Sequence, residues 1–151
     1  MPIHVYVCKK DGLEALKKLL AYDPYLDPSV IPPSTPGSDK PVSKQTDEEK
    51  RMAAEREQKV KEAMAKLKED RYSDVIFARQ EYEILDGSAF GDHDVSYLYI
   101  KATDDFLARA DEALEHKLGI KRAPREMEDR VIAKVSADEE SGNAGFGSIF
   151  G

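Results

Sequence analysis

Apolar and polar residues alternate from Ile3 to Cys8, with Ile3, Val5 and Val7 on one side and His4, Tyr6 and Cys8 on the other. A period of two is that of a strand with two distinct faces. Asp11 follows at an N-cap position, with Glu14 three residues later. Leu13, Leu16, Leu19 and Leu20 then supply the apolar side of a short helix ending near Tyr22. Thr46-Asp47-Glu48-Glu49 repeats the capping-box pattern and predicts a second helix running to about Glu69. Its apolar stripe is narrow (Ala53, Val60, Met64 and Leu67, with Met52 and Ala63 beside it), which leaves most of its circumference in water.

The pattern returns to extended structure at Val75-Ile76-Phe77-Ala78 and continues through Tyr82 to Leu85. Asp86-Gly87 is a turn signal, and Val95 to Ile100 reads as the next strand. Leu98, Ile100 and Ala102 share one side of that strand, and Tyr97, Tyr99 and Lys101 the other. Thr103-Asp104-Asp105 caps a helix with Leu107, Ala110, Leu114 and Leu118 along one stripe, and Gly119 is its expected left-handed stop. Arg130 to Val135 alternates again and predicts a last strand carrying Val131, Ala133 and Val135 on one face. Residues 138–151 read as an acidic and then glycine-rich tail ending Phe146-Gly147-Ser148-Ile149-Phe150-Gly151.

Six of the eight prolines fall between Asp23 and Lys44. Proline removes backbone donors and turns the preceding residue away from helix, so regular structure is not expected there. Tyr25, Leu26, Val30 and Ile31 can pin the first half of this stretch, whereas Pro33 to Lys44 reads as a mobile linker. The predicted organisation is one α+β domain over residues 1–140, with a Pro-rich linker or loop at 23–45, an inserted helix at 46–70 and a tail at 141–151. The order strand, helix, insertion, strand, strand, helix, strand resembles the split β-α-β arrangement of ferredoxin-like domains. That resemblance, of architecture alone, implies a four-stranded antiparallel sheet with its helices on one face.

Length, charge and cysteine content narrow the classes. At 151 residues the chain is long enough to bury roughly two-thirds of its unfolded surface. No apolar run approaches the ~20 residues of a membrane span, and the first residues lack a signal-peptide core, so a cytoplasmic protein with no membrane partner is expected. A net charge of −7 opposes broad attraction to nucleic acid. The lone cysteine, Cys8, excludes an internal disulfide framework and a cysteine-based zinc cluster.

Candidate chemistry is sparse. If the aliphatic rows of the first and third strands both meet the helices, then His4, Tyr6, Tyr97, Tyr99 and Lys101 share the opposite, open face. Such a face suits association with a protein partner or a second copy of the chain, through the tyrosines. Aromatics on central strands also stack RNA bases, but Glu81 or Glu83 beside them would repel phosphate. Lys9 and Lys10, at a strand end entering a helix, form a possible anion site and the basis of a rival reading as a small-ligand-binding protein or enzyme. Cys8 beside them meets one precondition for a nucleophile, a depressed thiol pKa, with His4 as the nearest base. Asp92, His93 and Asp94 are weak candidates for a divalent metal, with no spaced partner motif. Phe146, Ile149 and Phe150 read as a tail anchor for a groove on this domain or on a partner. No catalytic set and no cofactor is assigned. The expected role is that of a non-enzymatic accessory subunit.

Overall fold

Eight regular elements follow one another in the computed structural model: β1 (Ile3–Lys9), α1 (Leu13–Ala21), α2 (Asp47–Lys68), β2 (Glu81–Asp86), β3 (Val95–Lys101), α3 (Asp104–Leu118), β4 (Lys121–Arg122) and α4 (Arg125–Phe150). The structure describes residues 1–150, with side chains for residues 1–141. The chain is α+β, with an open four-stranded sheet in the order β2-β3-β1-β4 and every neighbouring pair antiparallel. Two compact units form, one from Met1–Ala21 together with Phe77 onward, the other from Tyr22–Ile76.

In the first unit, the register of β1 on β3 decides which side chains share a face. Val5 lies opposite Tyr99, Val7 opposite Tyr97, and Tyr6 opposite Leu98. Directly paired residues of antiparallel strands point to the same side. The aliphatic row of β1 therefore shares its face with the tyrosines of β3. His4, Tyr6 and Cys8 share theirs with Leu98 and Ile100. This is the reverse of the grouping the sequence suggests.

Both faces are covered. The face bearing Tyr6, Leu98 and Ile100 is fully buried, with Leu107, Ala110 and Leu114 of α3 and Leu16 and Leu20 of α1 equally inaccessible. Asp111 of α3 bonds to His4 and Tyr6 on this side, and Gly12, just before α1, lies beside Cys8. On the other face Val5, Leu85, Phe90, Tyr97 and Tyr99 form one core with Val131 and Val135 of α4, and Met127 and Ile132 pack at its margin. Helices on one face only was the expectation, and α4 overturns it.

The expected strand at Arg130–Val135 lies inside that helix. Met127, Val131 and Val135 recur every four residues, Glu126 and Glu128 occupy the first turn where the helix dipole favours acids, and Pro124 accepts the Glu128 N–H at 2.8 Å. The fourth strand is instead the two-residue β4, opposite Tyr6 and Val7. Its shortness leaves the edge of β1 to be finished by other groups. The Ala123 N–H donates to the Val5 carbonyl at 2.8 Å, and the Glu128 carboxylate accepts the Val5 N–H at 3.2 Å. Arg122 holds that carboxylate at 2.7 Å.

β2 starts later than the apolar run implies, because Phe77–Arg79 is a 3-10 turn that buries Phe77 edge-on against Phe106, 5.7 Å between centroids. The turn expected at Asp86-Gly87 is present. The Asp86 side chain accepts the Ser88 N–H, and a Cβ on Gly87 would collide with the carbonyls of Asp92 and Val95. The caps expected around α2 and α3 also form: a reciprocal Thr46–Glu49 box, and a left-handed Gly119 at φ 66°.

The second unit is a helix with a proline-rich segment laid along it. Half-buried Met52, Arg56, Val60, Ala63 and Leu67 mark one side of α2. Val30 lies near Ala63 and Leu67, Pro32–Pro36 near Met52 and Arg56, and Lys40 beside Glu49, so the segment runs antiparallel to the helix. Arg56 donates to the carbonyls of Pro32 and Pro33, and Gln45 to those of Gly37 and Lys40. Prolines leave carbonyls without neighbouring N–H groups to pair them, and these two long side chains supply the donors.

Candidate functional site

The surface expected from the sequence does not assemble. Tyr97 and Tyr99 are 3 % and 4 % exposed beneath α4, with Tyr97 edge-on to Phe90 at 5.5 Å. Burial pushes both phenols up, and carboxylates (Asp92 for Tyr97; Glu139, then Glu81 and Glu83, for Tyr99) add to the effect. Lys101 is half-buried at the opposite end of β3 from the loop, across from Ile3 and Glu81.

His4 and Tyr6 point the other way, into a polar network at the β4 edge. The His4 ring nitrogen Nδ1 is 2.9 Å from Asp111 Oδ1, and the Tyr6 hydroxyl donates to the same oxygen. Arg122 is 3.6 Å from Asp111 Oδ2 and 2.7 Å from Glu128. Burial, then the bond to Asp111, raises the Tyr6 phenol above its ordinary value. Each member is engaged by another, and the network ties α3, β4 and α4 to β1. Its chemistry is that of a fastening: one buried hydroxyl, one carboxylate shared by His4, Tyr6 and an ion pair with Arg122, and one guanidinium bridging two acids.

A different region has the shape of a binding site. Where β1 leaves the sheet, a cleft of about 700 Å³ opens between the end of β1, the start of α1, the start of β3, the end of α3 and β4. Sites for small ligands range from about 300 to 1,000 Å³. Three exposed lysines from three elements line it: Lys9 of β1, Lys117 of α3 and Lys121 of β4. Asp11 is the acid among the lining residues. Half-buried Val7, Val95 and Leu118, with buried Ile120, supply apolar wall.

The sequence leads to this cleft through Lys9, while Lys117 and Lys121 carry no local signal. They arrive by topology: α3 ends beside the end of β1, and β4 turns back along it. Gly119, left-handed between them, makes that reversal possible, its N–H donating to Glu115 and that of Ile120 to Leu114.

The remaining candidates divide. Lys10 is held away from the cleft by Asp86, 3.2 Å from its ammonium, and its N–H donates to Asp94. It thus serves the hairpin loop. Cys8 lines the cleft, but burial and then Asp11 push its thiol up rather than down, and its Sγ faces the Lys9 carbonyl at 3.3 Å. The precondition for a nucleophile is reversed, and His4 is committed to Asp111. Asp92 accepts the Asp94 N–H in an ordinary turn, and among the described residues no cluster of three His, Cys, Asp or Glu side chains fits a metal ion. Phe146, Ile149 and Phe150 lie outside the residues whose side chains are described. No helix among the described residues is long and apolar enough to cross a membrane. Comparison of the chain with protein-family models, curated proteins and solved structures yields no match, so the chemistry of the cleft is the basis for assigning a role.

Proposed function

We propose that this protein binds a small anionic ligand in the cleft at the end of β1. One observation carries the reading: Lys9, Lys117 and Lys121 line a cavity of ligand size in a chain whose net charge is −7. In an acidic protein a local concentration of cations is electrostatically favourable for the fold, but a concave one also selects anions from solution. The host is read as a split β-α-β domain of the ferredoxin-like kind, interrupted between α1 and β2 by residues 22–76; the strand order β2-β3-β1-β4 supports this.

A thermal-shift and calorimetry panel of inorganic phosphate, sugar phosphates, nucleotides and carboxylates tests the reading. A ligand present at a hundred times its dissociation constant stabilises by about 2.7 kcal/mol, enough to move the melting temperature by several degrees. At least one anion should do so, and Lys9→Glu with Lys121→Glu should abolish the shift. The reading fails if no member shifts the protein, or if the doubly substituted protein responds as well as the parent.

Association with another protein chain is the second reading, now resting on a different surface. Tyr22, Tyr25 and Leu26, within five residues, are 46 %, 40 % and 81 % exposed. A partner that covers them would protect Leu26→Glu-sensitive contacts. Light scattering of the parent and of Leu26→Glu over a hundredfold concentration range decides whether a second copy is that partner.

A further inference from the structure

Resting on that reading, we infer that the ligand of the cleft is an amphiphilic anion: a single carboxylate or phosphate head on an apolar body. The lining divides by chemistry. Lys9, Lys117 and Lys121 bring positive charge, whereas Val7, Val95, Leu118 and Ile120 bring a hydrocarbon wall contributed by β1, β3, the end of α3 and the turn after it. Val7 and Val95 are half-buried at the margin of the core beneath α4, Leu118 is half-buried and Ile120 is 7 % exposed, so part of this wall is left for an apolar ligand to cover. A phosphate cradle is usually a glycine-rich turn with several successive backbone N–H groups, whereas the glycines lining this cleft, Gly12 and Gly119, stand singly in different turns.

One further feature disfavours a highly charged ligand. Asp11 lies among the lysines and offsets part of the charge they supply. The start of α1 and the end of α3 both border the cleft, so the opposite poles of the two helix dipoles offset each other there. One anionic charge is well served by this arrangement, and three or four are not. An apolar body next to the head gives the wall its role, since covering hydrocarbon is the general source of affinity in sites of this kind.

The test is a homologous series. Binding of acetate, butyrate, hexanoate, octanoate and octyl phosphate is measured by calorimetry on the full chain, with inorganic phosphate, AMP and 1-octanol alongside. Each buried methylene strengthens binding about three- to fourfold, on the order of a hundredfold from butyrate to octanoate. Octanoate against octyl phosphate identifies the head. Leu118→Ser should flatten the chain-length dependence, and its fold is checked by circular dichroism. Ala15→Glu, a change at an exposed helical position of the lining, brings a negative charge in with little demand on folding and should remove binding of every anion.

If inorganic phosphate or AMP binds as tightly as octanoate and Ala15→Glu abolishes it, the cleft still holds an anion and the amphiphile is refuted. If 1-octanol matches octanoate, the anionic head is refuted. If no probe binds, or binding survives Ala15→Glu, both the amphiphile and the cleft reading fall.

Discussion

Trimming the side chains that α4 places on the sheet tests the covered tyrosine face directly. Val131 and Val135 are 0 % and 1 % exposed and share one core with Val5, Tyr97 and Tyr99. Replacing either by Ala removes the equivalent of two methylenes, about 1.6 kcal/mol of transfer free energy, plus a cavity contribution, so about 2 kcal/mol each. That corresponds to roughly 4–8 °C in melting temperature for a chain of this size. The two valines are one helical turn apart against the same tyrosines, so the double variant should fall short of or exceed the sum by a measurable coupling. Urea unfolding followed by circular dichroism gives the free energies. The chain has no tryptophan, so near-ultraviolet signals report its tyrosines, Tyr97 and Tyr99 among them, without interference. The expected result is a lower midpoint at unchanged slope, with a weakened tyrosine band in the double variant. Midpoints unchanged within error for both valines would refute the account, because a helix that buries nothing on Tyr97 and Tyr99 cannot be what hides them.

Three other outcomes follow from named contacts. Tyr6→Phe removes a buried donor to the Asp111 carboxylate and should cost about 1.5–3 kcal/mol in urea unfolding, the range for hydrogen bonds to charged groups. Thr46→Ala breaks the reciprocal box at the start of α2 and should cost about 1 kcal/mol, visible as faster amide exchange in the first turns of α2. The Asp86 carboxyl is held down to about 2, first by the Ser88 N–H, then by the Ser88 hydroxyl and Lys10. Its folded value lies below its unfolded value, so its contribution is fully present above pH of about 4 and is lost as pH falls toward 2. The stability gap between parent and Asp86→Asn should therefore be constant near neutrality and close over that window, as read from unfolding midpoints against pH.

Much of the fold is legible where the signal is local. Thr46 with Glu49, Thr103, Gly119 and Asp86-Gly87 each determine their own turn of chain, and each forms as the sequence predicts. Arg130 to Val135 misleads because Val131 and Val135 satisfy two periods at once, every second residue through Ala133 and every fourth without it. Ala133 is exposed and Ile132 half-buried, which decides for the helix; Met127, one turn earlier, is the clue within the sequence. The face assignment fails for a different reason. Alternation says that Val5 and Tyr6 point oppositely, but only the pairing of Val5 with Tyr99 says which row of β3 each joins. Of the cleft, Lys9 was visible, since a strand end before a helix is a local feature. Lys117 and Lys121 were not, because their nearness to Lys9 is created by the return of the chain after Gly119.

A sheet covered on both faces leaves function few places to act. In the first unit the broad surfaces of β1 and β3 are spent on two cores, one beneath α1 and α3 and the other beneath α4. What remains is the rim, where strands end, helices diverge and side chains from elements distant in sequence meet. At the β4 side of that rim the polar groups bond one another: Asp111, Arg122 and Glu128 complete the edge of β1. At the end of β1 the corresponding groups are lysines around a cavity, with hydrocarbon behind them. The two regions lie on the same strands and use comparable residues, yet the first closes a gap in the backbone ladder and the second surrounds open volume. That contrast is the physical reason for proposing a ligand at the second: Arg122 lies against acids, whereas Lys9 and Lys121 line a cavity.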